Sequence, residues 1–171
     1  MPISEMLLPE FDHEVATARK FLERVPDDKF GWQPHTKSMT LGRLAAHVAE
    51  IPGWAKETMT LTDLNLAPPG GPAFEPWIPK SRAEILEKFE QNIAAGRKAI
   101  AESADDAYSV PWSLLMGEQT ILTMPRISVL RTWVLNHVIH HRAQLGVYLR
   151  LLDIPVPSTY GPSADDPGSM G

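Results

Sequence analysis

The chain has 171 residues, with 16 Lys and Arg against 21 Asp and Glu, a formal charge of -5 and no cysteine. That length suits one domain with a core of its own, and the missing cysteines exclude disulfides, thiolate metal sites and a cysteine nucleophile, as fits a reducing cytoplasm. An acidic balance without any basic run argues against a nucleic-acid surface, no apolar stretch is long enough to span a membrane, and the N-terminus lacks the basic-then-apolar pattern of a signal peptide.

The first helix is expected from about Ser4 to Val25, where Leu8, Phe11, Val15, Ala18, Leu22 and Val25 form a stripe at helical spacing. Ser4 can cap it, and Pro9, tolerated only in a first turn, suggests a later start. His13 falls off the stripe and belongs in solvent. Pro26-Asp27-Asp28 ends the helix, and Trp32-Gln33-Pro34-His35 reads as extended chain because the residue before a proline avoids the helical region. His35, in that loop, is expected to be exposed.

Thr40 caps a second helix whose Leu41, Leu44, Ala45, Val48 and Ile51 repeat at helical spacing. His47 lies between them on the buried side. Pro52-Gly53 should stop or kink this helix, with a last helical piece from Trp54 to about Leu61. From Thr62 to Lys80 the prolines at 68, 69, 72, 76 and 79 and the glycines at 70 and 71 mark a crossover loop. Ser81 and Glu84 form a capping box for a third long helix with Ile85, Phe89, Ile93, Gly96 and Ile100 facing inward. A second long connection, from about Asp105 to Met124, is expected to hold a small hairpin around Gly117-Glu118. Pro125 then suits the first turn of a final helix that runs to about Leu152. Residues 158–171 read as a loose tail on the same single domain, 1–171.

The final helix carries the chemistry. Its seam runs Ile127, Leu130, Val134, His137, His141, Leu145, Tyr148 and Leu152, so two imidazoles stand one turn apart where the pattern asks for leucine. Each must find polar partners inside the core. With His47 as a third histidine on a buried face, two readings stay open: a shared metal ion, or hydrogen-bonded packing. Four amphipathic helices with two long crossovers make an all-α four-helix bundle, a fold that builds metal sites from inward side chains. Three imidazole nitrogens leave one position open for water or substrate, and suit zinc, nickel, copper or iron. His140 reads as bundle edge or as support behind the ligands. Glu50 reads first as a surface carboxylate, with an acid/base partner as the alternative. Trp32, Trp54, Trp77, Trp112 and Trp133 read as packing, with a pocket wall as the alternative.

Three stretches carry a resemblance: Leu44-Ala45-Ala46-His47-Val48-Ala49-Glu50, His137-Val138-Ile139-His140-His141-Arg142-Ala143-Gln144-Leu145, and Val156-Pro157-Ser158-Thr159-Tyr160-Gly161-Pro162. Together they resemble the DinB/YfiT superfamily, whose name refers to inducibility by DNA damage and implies no polymerase. The resemblance implies a four-helix bundle with long crossovers, often a homodimer, and a divalent metal on His47, His137 and His141. Zinc or nickel come first for that ion, with iron, copper or manganese as alternatives. It implies a metal-dependent transferase that joins a low-molecular-weight thiol to an electrophilic small molecule. The alternatives are a metal-dependent hydrolase of a small molecule and a non-catalytic, stress-related binding bundle. Arg142 and Gln144 match the resemblance as residues that orient the ligands or support a dimer. No nucleic acid or membrane partner is implied.

Overall fold

The computed structural model describes residues 1–72 and 74–168. The chain is mostly helical: α1 (Ile3–Leu22), α2 (Leu41–Glu50), α3 (Trp54–Thr60), α4 (Arg82–Glu102), α5 (Arg126–Val129) and α6 (Asn136–Leu151). The expectation of an all-α chain is corrected by a small sheet of β1 (Asp63–Asn65), β2 (Pro111–Met116) and β3 (Gln119–Pro125). β1 and β2 run parallel, and β2 and β3 form the expected hairpin, with Leu114 opposite Leu122 and a bulge before the Leu115–Thr120 pair. Gly117, at φ +62°, supplies the left-handed first position of the two-residue turn, as a Gly-first hairpin requires. The residues missed by sequence reading are those of β1, because three residues between a helix end and a proline-rich loop show no alternation. Asn65 fastens that strand to the turn, its side chain donating to the Gly117 carbonyl at 2.8 Å and accepting the Gly117 amide at 3.0 Å.

One core gathers Phe11, Phe21, Leu22, Leu44, Ile51, Ile85, Phe89, Leu130, Leu145 and Leu149, drawn from α1, α2 and the turn that follows it, α4 and the final helical run. α1 and α2 each pack against both α4 and α6. The first helix starts at Ile3 and contains Pro9 rather than starting after it. Pro9 and Glu5 are both exposed, so the carbonyl that loses its amide donor lies on the solvent side of the helix. Ser4 is not its cap; the Ile3 amide instead donates to Asp105 Oδ1 at 2.8 Å. Thr40 caps α2 as expected, its hydroxyl accepting the Arg43 amide at 3.3 Å. Ser81 accepts the Glu84 amide at the start of α4, while Glu84 reaches back to the Lys80 amide, one residue beyond the Ser81 amide that would close the box.

Two departures shape the site. Pro52 breaks α2, and Ile51–Gly53 form a tight turn before α3. Asn92 of α4 donates to the Ala49 carbonyl at 2.8 Å, satisfying an acceptor at this break. Gly96 lets α4 approach so closely that a Cβ there would stand 2.2 Å from the Pro52 carbonyl oxygen. The second departure lies in the final helix, expected as one α-helix from Pro125 to Leu152. It is continuous, but Leu130–Leu135 wind as a π-helix between α5 and α6. The wider turn keeps Val129 and Val134, and Leu130 and Leu135, on one buried side at five-residue spacing.

The sheet rests on this run. Trp112, Leu114 and Val129 form a second buried cluster, packed by Leu64, Leu122, Met124 and Trp133. Residues 158–168, expected as loose tail, are tied back: Asp166 accepts the Ser158 amide and hydroxyl at 2.9 Å, and Asp165 pairs with Arg150. Residues 169–171 lie outside the described residues.

Candidate metal centre

α2 and α6 pack face to face, and the histidines of both meet there. His47 follows Leu44 by three residues and precedes Ile51 by four, so burial of those two fully packed side chains carries its ring inward. His137 and His141 lie one turn apart on α6, between buried Val134 and Leu145. His141 is buried, and His47 and His137 are partly so.

The three rings point together. His47 Nε2 lies 3.3 Å from His137 Nε2, and His137 Nε2 lies 2.8 Å from His141 Nε2. The three donor nitrogens all fall within 4.8 Å of one another. Nitrogens held by a tetrahedral ion at about 2.0–2.1 Å stand about 3.3 Å apart, so this spacing suits one ion shared by three imidazoles. The far nitrogen of His141 agrees with that reading. His141 Nδ1 is 2.7 Å from Gln144 Oε1, an acceptor, so Nδ1 carries the proton and Nε2 turns its lone pair to the cluster. His47 Nδ1 and His137 Nδ1 are buried without a hydrogen-bond partner. With Nε2 turned to the cluster, each of these Nδ1 atoms carries the ring proton, and a buried donor without an acceptor costs about 1–3 kcal/mol.

Electrostatics keep the lone pairs free. Burial pushes the His137 ring down to about 4, helped by the neighbouring His141 and His47 and opposed by the Trp133 carbonyl, which lies near the ring without closing a hydrogen bond. Burial likewise pushes His141 to about 4, with Gln144 acting against it and His47, His140 and Arg43 adding to it. At neutral pH both are neutral imidazoles, the form a metal takes.

The surroundings sort the other candidates. Glu50, expected at the surface, has a side chain only 13% exposed; its Oε2 lies 2.9 Å from Arg43 Nη1 and 3.7 Å from His47 Nδ1. Burial alone would raise the Glu50 carboxyl, but the facing His47 and the Arg43 cation outweigh it and the net shift is downward. His140 is exposed, its ring 4.7 Å from that of His141. Gln144 orients His141, as one reading of its position expected. Arg142 does not face the cluster: it is 2% exposed and donates to Glu14 Oε2 at 2.6 Å and to the Tyr160 hydroxyl at 2.9 Å. The reason is angular, since the residue after His141 points about 100° away around the helix. His13 and His35 are exposed, as expected, and join no cluster. Of the tryptophans, Trp54 and Trp133 wall the site, their rings 5.2 Å and 6.0 Å from that of His137. Trp112 and Trp32 belong to packing elsewhere. A depression of about 280 Å³ opens beside the cluster, lined by Thr132, Trp133, Asn136, His137 and His140. Among the described residues no helix is long and apolar enough to cross a membrane.

Known proteins place this architecture. A protein of Bacillus subtilis strain 168, YrdA, itself uncharacterised, is 26% identical over 164 residues, covering 96% of this chain and 92% of that one. A DinB-like protein of Bacillus cereus ATCC 10987 superposes with a TM-score of 0.70 at 24% identity, over 91% of this chain and 97% of that one. The DinB-like protein YjoA of Bacillus subtilis gives 0.64 at 12% identity, over 94% and 98%. A mycothiol-dependent maleylpyruvate isomerase shares the fold at 0.51 and 17% identity, over 92% of this chain and 63% of that one. Residues 3–168 match the DinB family, and the chain belongs to it.

Proposed function

We propose that the chain is a metal-dependent transferase that joins a low-molecular-weight thiol to an electrophilic small molecule. The observation that carries this reading is the convergence of three imidazole Nε2 atoms beside an open depression. Three protein ligands leave a position for an exchangeable partner. His47, His137 and His141 would hold a divalent ion, zinc or nickel before iron, copper or manganese. When bound, the ion supplies Lewis acidity that lowers the pKa of a thiol in that open position to near neutral. The chain's own residues do the rest. Gln144 fixes the His141 tautomer, Trp54 and Trp133 wall the rings, and Asn136 and His140 offer polar contacts at the mouth. The chain has no cysteine, so the thiol is a cosubstrate. A fold relative whose name declares a thiol dependence supports that choice of cosubstrate.

The same proposal reads α1, α2, α4 and α6 as a four-helix bundle in one domain, working in the cytoplasm as a homodimer without nucleic-acid or membrane partners. Exposed Val147 and Leu151 on the outer side of α6 give such a dimer an apolar surface.

The test is metal content on protein purified without an affinity tag, wild type against His141→Ala, followed by thiol consumption with a generic electrophile. About one divalent ion per chain, lost in the variant, with thiol conjugation that needs the ion, is the expected result. A metal-bound protein that hydrolyses esters but leaves thiols unconsumed would replace the transferase by a hydrolase. One that does neither would be a binding protein.

A further inference from the structure

We infer that Glu50, clamped by Arg43, is the positioning carboxylate for His47. The inference rests on the metal-site reading above. Arg43, His47 and Glu50 stand at i-4, i and i+3, so α2 presents all three on one face. Arg43 Nη1 reaches past His47 to bond Glu50 Oε2 at 2.9 Å, which leaves that oxygen 3.7 Å from His47 Nδ1. Both partners of the longer contact are shielded, with side chains 14% and 13% exposed. His47 Nδ1 is one of the few buried polar atoms without a hydrogen bond among the described residues. A small rotation of either side chain closes the gap to a normal hydrogen bond of about 2.7–2.9 Å.

The arrangement has a chemical consequence. An Nδ1–H held by a carboxylate fixes the tautomer in which His47 Nε2 is bare and faces the other two rings, and it makes that nitrogen a stronger donor. Gln144 does the same for His141 through a neutral amide at 2.7 Å. His47 thus takes the stronger of two orienting groups, and Arg43 keeps that carboxylate from swinging into the cluster as a ligand itself. Glu50 is not among the converging donors. It touches neither substrate nor the reacting atoms and acts only through His47.

The test compares wild type, Glu50→Gln, Glu50→Ala and Arg43→Met in a zinc competition titration with a chromogenic chelator, in nitrogen-edited NMR of the His47 ring, and in melting of the metal-free protein. Affinity should fall about 3–10-fold in Glu50→Gln, which keeps an acceptor but loses the charge, and about 10–100-fold in Glu50→Ala. The Nδ1-protonated signature of His47 should weaken in Glu50→Ala, while metal-free melting changes little. Wild-type affinity and an unchanged His47 tautomer in Glu50→Ala would reduce Glu50 to an ion-pair partner of Arg43. Should Glu50→Ala not fold, wild-type affinity in isosteric Glu50→Gln overturns the inference in its place. A wild-type protein that takes up none of zinc, nickel, iron, copper and manganese overturns the metal reading, and this inference with it.

Discussion

His141 and Gln144 sit one turn apart on α6, and the ring nitrogen of one meets the side-chain oxygen of the other at 2.7 Å. Because Gln144 is exposed, its role can be tested without disturbing the core. Gln144→Leu should leave folding intact and lower metal affinity about 10-fold, since His141 loses the acceptor that holds its tautomer. Gln144→Glu should at least keep the affinity of the wild type. Zinc titrations of the three proteins check this, and a Gln144→Leu protein with wild-type affinity would remove Gln144 from the site.

The site was legible in the sequence for a plain reason: polar residues at the positions of a buried stripe must be explained. His47, His137 and His141 lie where the 3.6-residue period places core side chains, and they meet. Glu50 was misread because an isolated carboxylate at a helix end is usually solvated, and only the fold brings Arg43 and His47 around it. Arg142 was misread because sequence proximity to a ligand says nothing of direction around the helix. The π turn at Leu130–Leu135 leaves no composition signal, since the same apolar residues satisfy either winding. Helix caps from neighbouring residues, Thr40 and Ser81, could be read, whereas Asp105 capping a helix 102 residues away could not.

Removing the metal should expose a pH dependence with a definite sign. His137 and His141 are held at about 4 in the folded chain, below the 6.5 of a free imidazole. The unfolded chain therefore binds protons between pH 6.5 and about 4 that the folded chain refuses, so stability is full above 6.5 and is lost as pH falls toward 4. At 1.36 kcal/mol per unit for a full shift, and allowing for coupling and partial exposure, the pair should contribute roughly 3 kcal/mol of this loss. Urea unfolding of chelator-treated protein at pH 7.5 and 5.0 measures it, against a His137→Phe/His141→Leu control in which this part of the slope disappears. Equal pH slopes in the two proteins would show that the rings are not held neutral by the fold.

Arg142 and Glu14 form a buried pair between α6 and α1, and Tyr160, an exposed residue of the tail, sets its hydroxyl on that pair. Arg142 and Glu14 have side chains only 2% and 5% exposed, and the Tyr160 hydroxyl lies 2.9 Å from both Glu14 oxygens and from Arg142. Glu14→Ala strands a buried guanidinium and should cost about 3–5 kcal/mol. Glu14→Leu together with Arg142→Met removes both charges and should cost far less than the sum of the single changes. Tyr160→Phe loses one shared hydroxyl and should cost about 1–2 kcal/mol, with increased proteolysis after residue 157. Chemical denaturation across this set decides it; additive losses would mean that the three side chains do not act as a unit.

Gly96 provides the sharpest steric test. It lies in the interior of α4, where alanine would ordinarily favour the helix by about 1 kcal/mol. Here the added Cβ would stand 2.2 Å from the Pro52 oxygen and 3.3 Å from Ala55 Cβ. The nearer obstacle is backbone, fixed by the Pro52-Gly53 turn, so it cannot swing aside as a side chain would. The helices must separate, opening the core between Ile51, Ile85 and Phe89, and Gly96→Ala should destabilise by about 2–4 kcal/mol net. The turn follows directly from the helix that carries His47, so the displacement should also weaken metal binding, by several-fold. Gly161→Ala is the control, because nothing lies within 4 Å of a Cβ built there. Denaturant unfolding and zinc titration on both variants settle the point: a Gly96→Ala protein as stable as wild type would mean that the close approach of α4 to the Pro52 break does not exist in solution.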